Sequence, residues 1–254
     1  MIGQSVAFPI ILPVHARFIP WKEVVAISLF AIADLHLPLG ADKPMDIFSG
    51  WDHYVERLEK NWKNLVCDRD TIVLPGDISW ALKLEEALPD FAFLHALPGK
   101  KLILKGNHDL WWCTMAKMRR FLLENGFTDL DFIHNSAVVV GEVAVCGTRG
   151  WFFDDADAGD RKVLLREAGR LDASITAAKA TGKEPVAFLH YPPVCGGKVC
   201  REIFDVVQRH GISRVYYGHI HGAAIRQAFE GEFEGVQLRL ISADKLGFMP
   251  ILVD

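Results

Sequence analysis

The sequence predicts an α/β protein in which two β-sheets pack together with helices outside them. Three observations predict it. Short apolar runs alternate with longer amphipathic ones through the first half, and consecutive strand-like runs fill much of the second. Half of the 254 residues are apolar, enough for one large core. A single domain is expected over residues 24–254, after an N-terminal extension of residues 1–23 that contains Pro9, Pro13 and Pro20. The extension lacks a basic start and a small-residue cleavage site, and it is too broken to span a bilayer.

VVAISLFAI (24–32) reads as a buried strand, and Val55, Leu58, Trp62 and Leu65 fall at helical spacing between Trp51 and Val66. TIVLP (71–75) is strand. Leu84, Leu88, Phe91 and Leu94 mark a second helix that Pro98-Gly99 ends, and KLILK (101–105) is strand again. Met115, Met118, Phe121 and Leu122 predict a third helix, closed at Asn125-Gly126. This βαβαβα order is that of a largely parallel sheet. FIHN, AVVVG and EVAVCG then lie close together as strands, followed by a helix from about 160 to 181, VAFLH (186–190), a short helix near 201–210, and SRVYYGHIHG. AIRQAF, VQLRLIS and FMPILV read as consecutive closing strands.

Composition narrows the function. The formal charge of -4 lacks the basic footprint of non-specific nucleic-acid binding, so nucleic acid is not the expected partner. No run reaches the length of a transmembrane helix, so no membrane partner is expected. Five scattered cysteines in a chain this large point to a reduced, cytoplasmic protein. Cys195 and Cys200, in CGGKVC, have no second pair to complete a zinc site.

Each apolar strand is followed at once by metal-capable side chains: Asp34 and His36, then Asp77, then Asn107, His108 and Asp109, then His190, then His219 and His221. In open α/β sheets the carboxyl ends of strands gather at one edge, where ligands bind. Asp34 and His36, like His219 and His221, are two residues apart, which in an extended chain puts both side chains on one face. Asn107 and His108 are neighbours, so one of them would bind metal and the other face a substrate. Glycines 76, 106 and 218 immediately precede Asp77, Asn107 and His219, where a close backbone approach would aim those side chains inward. Oxygen and imidazole donors without thiolate suit manganese, iron or zinc. Asp34, His36, Asp77, Asn107, His190, His219 and His221 are too many ligands for one ion and suit two, with Asp77 as the shared carboxylate. Two divalent ions about 3.5 to 4 Å apart are the usual arrangement for phosphoester cleavage.

In order, DLH, GDIS, KGNHD, LHYPP and GHIH resemble the five-part signature of the calcineurin-like metallophosphoesterases over residues 34–221. DKPMDIF, GDISWAL and GTRGW also resemble a bacterial branch of predicted phosphohydrolases. The resemblance implies a four-layer αββα sandwich of two mixed β-sheets. It implies one metal on Asp34, His36, Asp77 and His221, and another on Asp77, Asn107, His190 and His219. A hydroxide generated by the ions would attack phosphorus in line. His108 would stabilise the transition state or protonate the leaving oxygen, with Asp109 orienting its ring. GDISWAL and KGNHD depart from the protein-phosphatase branch, which makes a phosphorylated metabolite or nucleotide the expected substrate. A non-catalytic metal-binding scaffold and a nuclease are the competing functions.

Plainer readings compete at single positions. Asp109 could cap the following helix, and Arg149 in GTRGW could hold a phosphate oxygen or form a loop salt bridge. Trp111 and Trp112 would wall the pocket or plug the core. His15, His53, His95, His134 and His210 fit no part of the set.

Overall fold

The computed structural model describes residues 27–152 and 158–253, so the expected extension and the first residues of the expected opening strand lie outside the described residues. Strand β1 (Leu29–Ala31) is followed by α1 (Tyr54–Leu65), β2 (Thr71–Pro75), α2 (Leu88–Ala96), β3 (Lys100–Leu104), α3 (Met115–Glu124) and β4 (Leu130–Phe132). Then come β5 (Val138–Val140), β6 (Val143–Thr148), α4 (Ala158–Lys179), β7 (Glu184–Leu189), β8 (Val194–Cys195), β9 (Lys198–Val199), α5 (Arg201–Arg209) and β10 (Arg214–Tyr217). The chain closes with β11 (Gly231–Phe233), β12 (Val236–Leu240) and β13 (Ile251–Leu252).

One sheet has the order β13-β1-β2-β3-β4 and the other β11-β12-β10-β7-β6-β5. Both are mixed. β1 to β4 run parallel and β13 antiparallel, while β12, β10, β7 and β6 run parallel with β11 and β5 antiparallel at the edges. The strand period of two sorts side chains into layers. Ile72 and Leu74 of β2 join α1, α2 and α3 in one apolar cluster, while Val73 faces the other sheet. Ala187 and Leu189 of β7 pack with α4 and α5, while Val186 and Phe188 meet Val73, Leu102 and Leu104 between the sheets. Helices, sheet, sheet and helices therefore stack as the expected four layers. β2 reads as an unbroken apolar run because both of its faces are covered.

Two local expectations change. AIRQAF is not a strand but a 3-10 turn over Gly222–Gln227, because the chain must bend where it leaves the ligand edge. CGGK forms the turn of the small β8–β9 hairpin, and all five cysteines are free. The cap of α3 is Thr114, whose hydroxyl accepts from the Lys117 N–H at 3.4 Å, so Asp109 is free for another task.

Candidate metal centre

All the sequence-selected ligands leave the carboxyl ends of five strands: β1, β2 and β3 from one sheet, β7 and β10 from the other. The two sheets are tied at this edge, where Ala33 N–H donates to Ile241 O at 2.8 Å and Ala243 N–H to Ala33 O at 2.9 Å. The way the side chains turn inward differs from the extended-chain expectation. Asp34, His36, Asp77 and His219 have φ of 62°, 47°, 53° and 73°, all left-handed. Such backbone costs about 1 kcal/mol or more per residue and persists where the surroundings over-determine it. Two glycines make that packing possible. A Cβ on Gly106 would stand 2.1 Å from Asp77 Oδ1, and one on Gly218 2.4 Å from Asp34 Oδ2.

Seven donors gather in two groups. Asp34, His36 and His221 form one, and Asp77, His190 and His219 the other. In the first, His36 Nε2 and His221 Nε2 are 3.3 Å apart, and His221 Nε2 is 3.6 Å from Asp34 Oδ1. Asn107 joins the second through Oδ1, which lies 2.6 Å from His190 Nε2 and 2.9 Å from His219 Nδ1. Asp77 stands between the groups. Its Oδ1 accepts from the His108 N–H at 2.8 Å, which leaves Oδ2 facing His36 Nε2 at 3.7 Å and His190 Nε2 at 3.5 Å. His219 and His221, two residues apart, thus serve different groups.

The imidazoles are held from behind. His190 Nδ1–H donates to Pro75 O at 3.2 Å, which leaves Nε2 unprotonated and pointing at Asn107 Oδ1. A cation shared by Nε2 and Oδ1 would satisfy both lone pairs. His221 Nδ1 is 3.1 Å from Asp244 Oδ1, while Asp244 Oδ2 accepts from the Gly222 N–H at 2.8 Å. Asp244 was not among the sequence-selected residues. It follows β12, so the rule that found the others would have found it had it been carried to that strand.

Asp109 corrects the expected role. Its carboxylate accepts from the backbone N–H groups of Asp77 at 2.9 Å, Ile78 at 2.9 Å, Ser79 at 3.4 Å and Gly106 at 2.7 Å, and from Trp111 Nε1 at 3.0 Å. It therefore fastens the β2 loop to the β3 loop rather than orienting the His108 ring. Trp111 plugs the core against Phe91. His108 is exposed, with its ring 5.6 Å from His36 and 4.6 Å from Trp80 between centroids. Among the described residues, Arg149 contacts Glu167, at 3.4 Å, and the Trp151 ring, at 4.8 Å. That ion pair engages one nitrogen of its fork, Nη2. His95 pairs with Asp129 and His210 with Asp172, apart from the centre.

Electrostatics mark the centre as built for cations. Burial raises Asp77, and the neighbouring Asp34 charge raises it further, to about 8. Asp34 is also pushed up by burial, but His221, His190 and His36 outweigh that and hold it well below the usual carboxylate range. Burial and the other imidazoles lower His219 to about 3 and keep His36 and His108 below their ordinary value. Burial works against His221 too, yet Asp34 and Asp244 raise it to about 10. Imidazoles held below their ordinary value at His36, His190 and His219 beside two crowded carboxylates suit divalent ions, which would relieve the carboxylate repulsion and take the place of the His221 proton. The donor set fits a pair of divalent metals.

A family model for calcineurin-like phosphoesterases matches residues 27–223. No curated protein matches the chain. Among solved structures the chain is similar to a protein of unknown function from Aquifex aeolicus, at 14% identity over 89% of this chain and 95% of that one, with a TM-score of 0.47. It is also similar to the phosphopantetheinyl hydrolase of Mycobacterium tuberculosis, at 14% identity over 90% of this chain and 97% of that one, with a TM-score of 0.49. With TM-scores below 0.5, neither likeness bears on substrate.

Proposed function

Because the chain belongs to the calcineurin-like phosphoesterase family, hydrolases of phosphoester bonds, we propose that it is a dinuclear metal-dependent phosphohydrolase acting on phosphorylated small molecules or nucleotides. The observation that carries this reading is Asp77, with one oxygen fixed by the His108 N–H and the other facing both donor groups. Asp34, His36, Asp77 and His221 would hold one ion, and Asp77, Asn107, His190 and His219 the other. Manganese, iron or zinc suits this donor set. Bound there, two divalent ions make water nucleophilic near neutral pH and neutralise phosphate charge.

The chain's own residues supply the rest. Pro75 O and Asp244 fix which nitrogen of His190 and of His221 faces inward. His108, exposed beside the clusters, keeps one N–H even when neutral and would offer it as a hydrogen bond to the departing oxygen, which would take its proton from water. Residues 24–254 act as one unit in this proposal, with ligands drawn from both sheets. Among the described residues no helix is long and apolar enough to cross a membrane. The five free cysteines favour a reducing compartment, the cytoplasm.

The test is hydrolysis of p-nitrophenyl phosphate and bis(p-nitrophenyl) phosphate with manganese, cobalt or zinc. Metal-dependent turnover that Asp77→Ala and His190→Ala both abolish is expected. Normal turnover of either variant at saturating manganese contradicts the assignment.

A further inference from the structure

Beside the donor groups lies a second feature that the hydrolytic chemistry does not use. The segment after β1 folds into a loop closed by turn hydrogen bonds, Phe48 N–H to Met45 O at 2.9 Å and Trp51 N–H to Phe48 O at 3.1 Å. Asp46 Oδ1 accepts from the His53 N–H at 3.0 Å and ties the loop to the start of α1. A cavity of about 400 Å³ opens between this loop and Trp80, lined by Lys43, Pro44, Met45, Ile47, Phe48 and Trp80. That volume is in the range of small-molecule pockets. Apart from Lys43 and Asp42 its walls are apolar, and Ile47 and Phe48 stand 79% and 51% exposed. Neighbouring large apolar side chains left in water mark a binding surface.

The cavity is joined to the metal centre by shared walls. Trp80 stacks on the ligand His36 at 4.7 Å and lies 4.6 Å from His108, while Lys43 Nζ sits 5.1 Å over the same indole. At the other end of the loop, Trp51 meets His36 at 5.9 Å and His221 at 5.7 Å. The backbone N–H of Trp80 is pinned to Leu37 O at 3.2 Å, so the partition is fixed. A phosphate held between the donor groups, with its ester oxygen toward His108, would send its organic group past Trp80 toward Met45, Ile47 and Phe48. Lys43, on the partition, meets the anionic end.

We propose, resting on the phosphohydrolase reading, that this cavity receives the organic group of the substrate, and that the substrate is a phosphate ester of an apolar alcohol rather than of a sugar or polyol. Hydroxyl groups of a sugar would lie unpaired against Met45, Ile47 and Phe48, which such a wall disfavours. An alkyl chain there gains contact with each methylene.

The test uses the metal-loaded full chain and straight alkyl monophosphates from ethyl to octyl, together with the matching methyl alkyl diesters. The leaving alcohols have nearly equal acidity, so chain length reports contact alone. The cavity predicts that kcat/KM rises with length, by about fourfold for each methylene it buries. It also predicts that Phe48→Ala and Ile47→Ser flatten the rise, so that the octyl ester loses more than the ethyl ester. A length-independent kcat/KM overturns the cavity while leaving the hydrolase intact. Calorimetric binding of ethyl to octyl phosphonates, which cannot be hydrolysed, separates the two claims. If no ester is cleaved yet phosphonate affinity climbs with length and Phe48→Ala abolishes the climb, the cavity stands and the hydrolase reading fails. If Phe48→Ala instead changes the association state in sedimentation, the loop is a contact between copies and the proposal is overturned.

Discussion

The two donor groups differ in what stands behind them. His190 is fully buried and backed by a backbone carbonyl, Pro75 O, so its orientation is set by the sheet itself. His221 is partly exposed and backed by a side chain, Asp244, which a single substitution can remove. Each group has two buried donors and one partly exposed one, so the contrast lies in the backing of these two imidazoles, a main-chain carbonyl for His190 and a replaceable carboxylate for His221. The two are not independent, because Asp77 faces both, and Asp109 holds Asp77 in place through the neighbouring backbone.

The largest effect expected is at that junction. Asp77→Ala should remove activity by at least about a thousandfold and lower the metal content of both groups, measured by elemental analysis of purified protein. Loss from one group alone would divide the centre more sharply than proposed here. Next comes Asp109→Ala. It strands four backbone donors and the Trp111 indole N–H, and at roughly 1 kcal/mol for each unmet group should cost on the order of 5 kcal/mol in denaturant unfolding. A stability unchanged within 1 kcal/mol would return Asp109 to the role of orienting His108. Smaller again, Asp244→Ala should weaken metal binding about 10- to 100-fold at the first group and spare the second. Equal weakening at both would erase the contrast between carboxylate and carbonyl backing.

The smallest effect lies just outside the centre. Asp90 is buried and accepts from the Ser79 hydroxyl and from the Leu39 N–H at 2.9 Å, but burial outweighs those bonds and raises its pKa to about 6. A carboxyl raised on folding contributes stability that is full below its unfolded pKa of 3.8 and is lost as pH climbs through about 6. Asp90→Asn should therefore flatten the pH dependence of unfolding between those values. An unaltered profile would show that Asp90 does not titrate with folding.

Much of this was legible before folding because strand ends and ligands are written together. IVLPGD, LILKGNHD and VAFLH each carry an apolar run and the polar group it delivers, and two sheets bring those ends together. What escaped was not local. Asp244 lies beyond the quoted motifs, and its value comes from meeting His221 across 23 residues. The left-handed φ of Asp34 and His36 reflects backbone bonds to Gly76 O and Asp77 O, which no spacing rule encodes. Three of the five partners of Asp109 lie on the loop after β2, so its carboxylate looked free for the adjacent His108 when it was already engaged. AIRQAF has the composition of a strand, but its backbone is turned by Gly222 and the bond to Asp244.

The most direct measurement is electron paramagnetic resonance of the manganese-loaded chain. Two ions sharing the Asp77 carboxylate should give an exchange-coupled multiline spectrum, reduced in Asp77→Asn to signals of uncoupled ions. A single uncoupled six-line spectrum from fully loaded wild-type protein would contradict a shared centre.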